Sequence, residues 1–127
     1  MTATGFLEHV AFRVRDPAPH VAFFGAVLGL EVREIAGPAD APDQVWLEGG
    51  LQLVRDPEPG EMGRLLHLGL MVEDLHATIA AARAHGAQQL ARGSNWLSLP
   101  DGLVLELIEA ASGSVARMRA VRPRGNE

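Results

Sequence analysis

The sequence predicts an α+β fold made of two βαβββ modules, and three observations lead there. The segments HVAFRVRD at 9–16 and HLGLMVED at 67–74 share the pattern H-x4-V-x-D. Each copy then runs through a helix-like stretch toward a glycine, APHVAFFGAVLGL in the first and LHATIAAARAHGAQQL in the second. The short runs LQL at 51–53 and LEL at 105–107 follow at nearly the same spacing. Four matches in the same order define an internal repeat, each copy a supersecondary unit that needs its neighbour to bury a core.

Module one covers about 6–55. Phe6 to Val14 is rich in Val and Phe and reads as a strand, stopped by Asp16-Pro17. Asp16 is placed to cap the next helix, with Pro17 at its first position. Val21, Phe24, Val27 and Leu28 share one helical face, and Gly29 ends the helix. Strands are expected near 30–36, 44–48 and 51–55, with 37–42 as a loop and Gly49-Gly50 as a hairpin turn. Module two, about 64–109, repeats the plan. Leu65 to Val72 is a strand, Asp74 caps a helix over about 75–85, and Gly86 stops it. Strands follow near 88–91, 96–99 and 103–108, the last entered through Pro100-Asp101-Gly102. The polar segment 56–63, DPEPGEMG, is the linker, and 110–127 is a tail. Arg117, Arg119, Arg122 and Arg124 make that tail basic, as a solvated terminus. The whole chain, 1–127, reads as one domain.

Composition narrows the chemistry. Hydrophobic residues are 47% and charged residues 21%, a globular balance. No apolar run reaches the ~20 residues of a membrane span, and no signal peptide is visible, so the cytoplasm is the expected location. Cysteine is absent, which excludes disulfides, thiolate metal sites and a cysteine nucleophile. A formal net charge of −5 argues against nucleic acid as a partner.

Four polar residues interrupt the apolar strands. By strand parity Val10, Phe12 and Val14 face the helix, whereas His9 points the other way. His67 in the matching strand, Gln52 between Leu51 and Leu53, and Glu106 in LVLELI also leave the leucine face. A carboxylate among leucines is costly to bury unless something pairs with it. Two imidazoles, an amide oxygen and a carboxylate at repeat-equivalent positions suit one divalent ion. With nitrogen and oxygen donors alone, the candidates are Zn, Ni, Co, Mn or Fe(II), ahead of Ca or Mg.

The opening FLEHVAFRVRDPAPHVAFFGAVLGLEV, the segment LLHLGLMVEDL and the closing LPDGLVLELIE resemble the vicinal oxygen chelate superfamily of glyoxalases, bleomycin-resistance proteins and extradiol dioxygenases. The resemblance spans about residues 6–109 and implies a curled eight-stranded mixed sheet around a cleft, with a homodimer as the usual assembly. It implies metal ligands at His9, Gln52, His67 and Glu106. It also implies the shared device of a metal ion that binds two neighbouring oxygens of a small-molecule substrate.

Several chemistries share that device. A glyoxalase I-like lyase or isomerase would use Glu106 as ligand and base beside an enediolate. An epimerase acting on a thioester fits because the His, Gln, His, Glu set resembles methylmalonyl-CoA epimerases; it needs a second acid or base, for which Glu34 and Glu48 are candidates. An Fe(II) dioxygenase ranks lower, since such enzymes carry an additional tyrosine and this chain has none. The non-enzyme alternative is a metal-free binding or resistance protein in which Trp46 and Trp96 stack on a ligand.

Overall fold

The computed structural model describes residues 4–28, 30–58, 65–99 and 103–125. Its elements in chain order are β1 (Gly5–Val14), α1 (Pro17–Leu28), β2 (Val32–Ala36), β3 (Gln44–Leu47), β4 (Leu51–Arg55), β5 (Leu65–Val72), α2 (Leu75–Ala84), β6 (Gln88–Leu90), β7 (Gly93–Ser98), β8 (Val104–Glu109) and α3 (Ser114–Ala120). The strands form one open, mixed eight-stranded sheet in the order β2-β3-β4-β1-β5-β8-β7-β6. The expected α+β class and twofold βαβββ order are therefore present. Among the described residues, no helix is long and apolar enough to cross a membrane.

Two compact units emerge, Glu8–Leu68 and Met1–Leu7 with Gly69–Glu127. In Glu8–Leu68, β1 and β4 run parallel with Ala11 beside Gln52, and β3 pairs antiparallel with both β2 and β4. Val14, Val45, Leu47 and Leu53 form its core, with Val21 and Phe24 of α1 packed on top. Asp16 accepts a hydrogen bond from the Ala18 amide at 3.1 Å, so it satisfies one of the free N–H groups at the start of α1. The β3–β4 turn uses Gly49 and Gly50 at φ of 89° and 99°, a region costly for any residue with a Cβ.

In the other unit β7 pairs antiparallel with β6 and β8. Val72, Ala87, Leu97 and Leu107 are buried under Leu75 and Ile79 of α2. Asp74 caps α2 by accepting from the Ala77 amide at 3.0 Å, and Gly86 at φ 99° lets the chain leave the helix.

Four local expectations need correction. Val27 is 60% exposed, so it does not join Val21 and Phe24 where α1 packs on the core. Strand β2 starts at Val32 rather than residue 30, because the Leu30 amide turns back to the Phe24 carbonyl at 3.1 Å. Strand β7 begins at Gly93, with Leu90 paired to Gly93 after an irregularity in the register. The tail is not simply frayed: Ser114–Ala120 is helical and anchored by Val115, which is 1% exposed. The expected stops at Gly29 and at Pro100-Asp101-Gly102, and residues 59–63 of the linker, lie outside the described residues.

Candidate metal centre

His9 and His67 come from β1 and β5, and both belong to the unit Glu8–Leu68. They are 5% and 6% exposed. Their Nε2 atoms stand 3.0 Å apart with the rings nearly perpendicular, at an interplanar angle of 88°. Two nitrogens bound to one ion at about 2.0–2.1 Å would be separated by roughly 2.9–3.4 Å for angles between square and tetrahedral. The observed 3.0 Å falls inside that window. On its other side, His9 Nδ1 lies 2.9 Å from Glu8 Oε2, while Arg33 Nη2 donates to Glu8 Oε1 at 3.0 Å.

Gln52 lies in the same unit and is 5% exposed. Its Nε2 donates to Gln44 Oε1 at 2.8 Å. Its own Oε1 is buried and has no hydrogen-bond partner among the described residues. An amide oxygen left in that condition costs about 1–3 kcal/mol. A cation is the kind of group that would relieve it, so the donor chemistry of this unit fits a metal ion.

Glu106 lies at the middle of β8 in the other unit, half-buried, directly across from Trp96 of β7. Trp46 stands in the same relation to Gln52, across the β3–β4 pair. Directly opposed residues of an antiparallel pair put their side chains on one face. Each tryptophan is thus a same-face neighbour of a candidate ligand, the repeat preserved at the level of side chains. Arg92 lies over the Trp96 ring, 4.1 Å from its centroid.

The two glutamates weighed as second acid or base differ in setting. Glu34 on β2 is opposite Trp46 and exposed. Glu48, just past β3 and exposed, accepts the Glu31 amide at 2.9 Å. The sequence reading overlooked Glu8. Its position next to a candidate ligand histidine was the available signal, since metal-binding histidines usually donate their second ring N–H to a carboxylate or carbonyl.

An open mixed sheet of two βαβββ repeats, with paired histidines on the first strand of each repeat, defines a vicinal oxygen chelate protein. Residues 9–108 match the model of the glyoxalase-like domain family, and the chain belongs to that family. No curated protein sequence matches it. Among solved structures, a hypothetical protein from Bacillus halodurans is similar at 14% identity and a TM-score of 0.64, covering 87% of this chain and 97% of its own. A Streptomyces coelicolor methylmalonyl-CoA epimerase variant in complex with 2-nitronate-propionyl-CoA is 22% identical, with a TM-score of 0.62 over 87% of this chain and all of its own. A 2,2',3-trihydroxybiphenyl 1,2-dioxygenase from Sphingomonas wittichii shares 21% identity and a TM-score of 0.59, over 87% of this chain and 44% of its own. At these identities the likeness is one of fold.

Proposed function

We propose that this chain is a metal-dependent enzyme that moves a proton beside a carbonyl of a small substrate, as an epimerase or a glyoxalase I-like isomerase does. The observation that carries the reading is the Gln52 amide oxygen, buried and without a hydrogen-bond partner among the described residues, in the same unit as the paired histidines. His9, His67 and Glu106 are a possible ligand group that offers one donor atom each. Gln52 is the fourth member of the proposed set. The ion is Zn, Ni, Co, Mn or Fe, since every donor is nitrogen or oxygen.

When bound, the ion supplies positive charge against two neighbouring oxygens of the substrate. Two neutral imidazoles and an amide bring no charge to the site, and Glu106 brings one negative charge. Against a divalent ion this leaves a net positive centre, suited to negative charge that develops during reaction. Glu106 is the residue we assign to accept and return the proton at a carboxylate oxygen. For a proton delivered from the opposite side, Glu34 is the better candidate. It shares a row with Trp46 and Gln52 across β2, β3 and β4, whereas Glu48 is tied to the Glu31 amide. Trp46 beside Gln52 and Trp96 beside Glu106 would each offer an indole face to a ligand. The thioester ligand named for the epimerase relative supports an acyl-thioester as the first substrate class to test. We also propose a homodimer in the cytoplasm, on the family resemblance.

The test is elemental mass spectrometry of purified protein, beside Glu106→Ala and the His9→Ala, His67→Ala double variant. About one transition-metal ion per chain, lost in both variants, followed by turnover of a methylmalonyl thioester or of the methylglyoxal–glutathione adduct, is the expected result. Wild-type protein that stays empty after incubation with all five metals would overturn the reading. Aromatic-ligand binding by a metal-free protein, centred on the two tryptophans, would then take its place.

A further inference from the structure

For a neutral His9 ring, the contact with Glu8 sets which nitrogen carries the proton. Arg33 Nη2 donates to Glu8 Oε1 at 3.0 Å, and Glu8 Oε2 lies 2.9 Å from His9 Nδ1. A carboxylate is an acceptor, so His9 Nδ1 must be the donor. A neutral imidazole protonated at Nδ1 carries a bare lone pair at Nε2. His9 Nε2 therefore accepts in the 3.0 Å contact, and His67 Nε2–H donates. We infer that Glu8, braced by Arg33, is a positioning residue that fixes the tautomer of His9 and holds its Nε2 lone pair ready for a cation.

The inference rests on the proposed metal site and deepens it. Glu8 is adjacent to His9 in β1 and only 15% exposed, whereas Arg33 reaches it from β2 with 48% of its side chain exposed. A largely shielded carboxylate held by one charge-assisted hydrogen bond from Arg33 is restrained, and the His9 ring is positioned through it. The two histidines are then unequal. His9 is already in the metal-binding tautomer, while a neutral His67 must shift its proton from Nε2 to Nδ1 before its Nε2 can bind. Metal uptake thus breaks the His9–His67 hydrogen bond and rearranges one ring rather than two.

The measurement is nitrogen-15 NMR of the imidazoles in metal-free protein, with zinc affinity from competition against a chelator. Wild type, Glu8→Leu and Glu8→Gln are compared. In wild type, His9 should carry its proton on Nδ1 and His67 on Nε2. In Glu8→Leu, His9 should lose its tautomeric bias and zinc affinity should fall about 10–100-fold. Glu8→Gln keeps an acceptor oxygen, so it should retain the tautomer and lose less affinity. A wild-type His9 protonated on Nε2 or on both nitrogens overturns the inference, as does a Glu8→Leu protein whose His9 is unchanged. Wild-type protein with the expected tautomers that binds no metal at all would instead sink the proposed function, leaving the proton arrangement supported.

Discussion

Replacing Gln52 by leucine separates a residue kept for folding from one kept for metal. Among the described residues the wild-type side chain makes one hydrogen bond, to Gln44, and leaves Oε1 buried without a partner. The bond contributes about 0.5–1.5 kcal/mol and the orphaned oxygen costs about 1–3 kcal/mol, so the metal-free variant should be more stable by about 1 kcal/mol. For a domain of this size that is a rise in Tm of roughly 3–6 °C. Metal offsets the difference. At a metal concentration of about 100 Kd the wild type gains ~2.7 kcal/mol, while a variant with tenfold weaker affinity gains only ~1.4 kcal/mol. The advantage of the variant should vanish in saturating metal and return with chelator. Paired thermal melts of both proteins, with chelator and with zinc or nickel, read this directly. A Gln52→Leu protein at least 1 kcal/mol less stable in chelator would refute the claim that the oxygen is unsatisfied. Equal metal-induced shifts in the two proteins would refute its role as a ligand.

Three further substitutions test the framework around the site. Gly50→Ala places a Cβ 2.5 Å from the Glu8 carbonyl oxygen at a φ of 99°, so it should push on the strand that carries His9. We expect a loss of about 1–3 kcal/mol in denaturant unfolding, together with weaker zinc binding in the chelator competition. Leu47→Ala, at a position with 0% exposure, should cost about 2–5 kcal/mol, seen as an earlier urea midpoint with an unchanged slope. Asp74→Ala removes the α2 cap and should cost about 0.5–2 kcal/mol, with hydrogen exchange rising at the Ala77 amide first.

Where periodicity was strong, the sequence was a good guide. The ends of β4 and β5, the Asp16 and Asp74 caps and the alternation that sends Gln52 away from Leu51 and Leu53 follow from period-two patterning and turn chemistry. Alternation assigns a face, but it cannot say what lies against it. Val27 is apolar and correctly phased on α1, yet it is exposed, while Val21 and Phe24 pack on the core. Helix α3 escaped for a different reason: seven residues hold too few turns to show a period, and only Val115 is buried. At the site, residue type and repeat position singled out His9 and His67, whose Nε2 atoms meet at 3.0 Å. The Glu8–Arg33 brace could not be read, because it joins residues 25 apart through side-chain reach rather than through pattern.

The pairing of each tryptophan with a candidate ligand has a spectroscopic consequence. The chain contains two tryptophans and no tyrosine, so its intrinsic ultraviolet emission arises from Trp46 and Trp96. Those fluorophores sit opposite Gln52 and Glu106, and one of them carries the Arg92 guanidinium on its ring. Arrival of a paramagnetic ion such as Ni or Co at Gln52 would quench Trp46, and at Glu106 would quench Trp96, by short-range energy and electron transfer. Single-tryptophan variants would resolve the signal strand by strand. If the proposed ligands bind an ion, the protein would report its own loading without any added label, and titration of a weak ligand or a slow metal exchange could be followed by fluorescence alone.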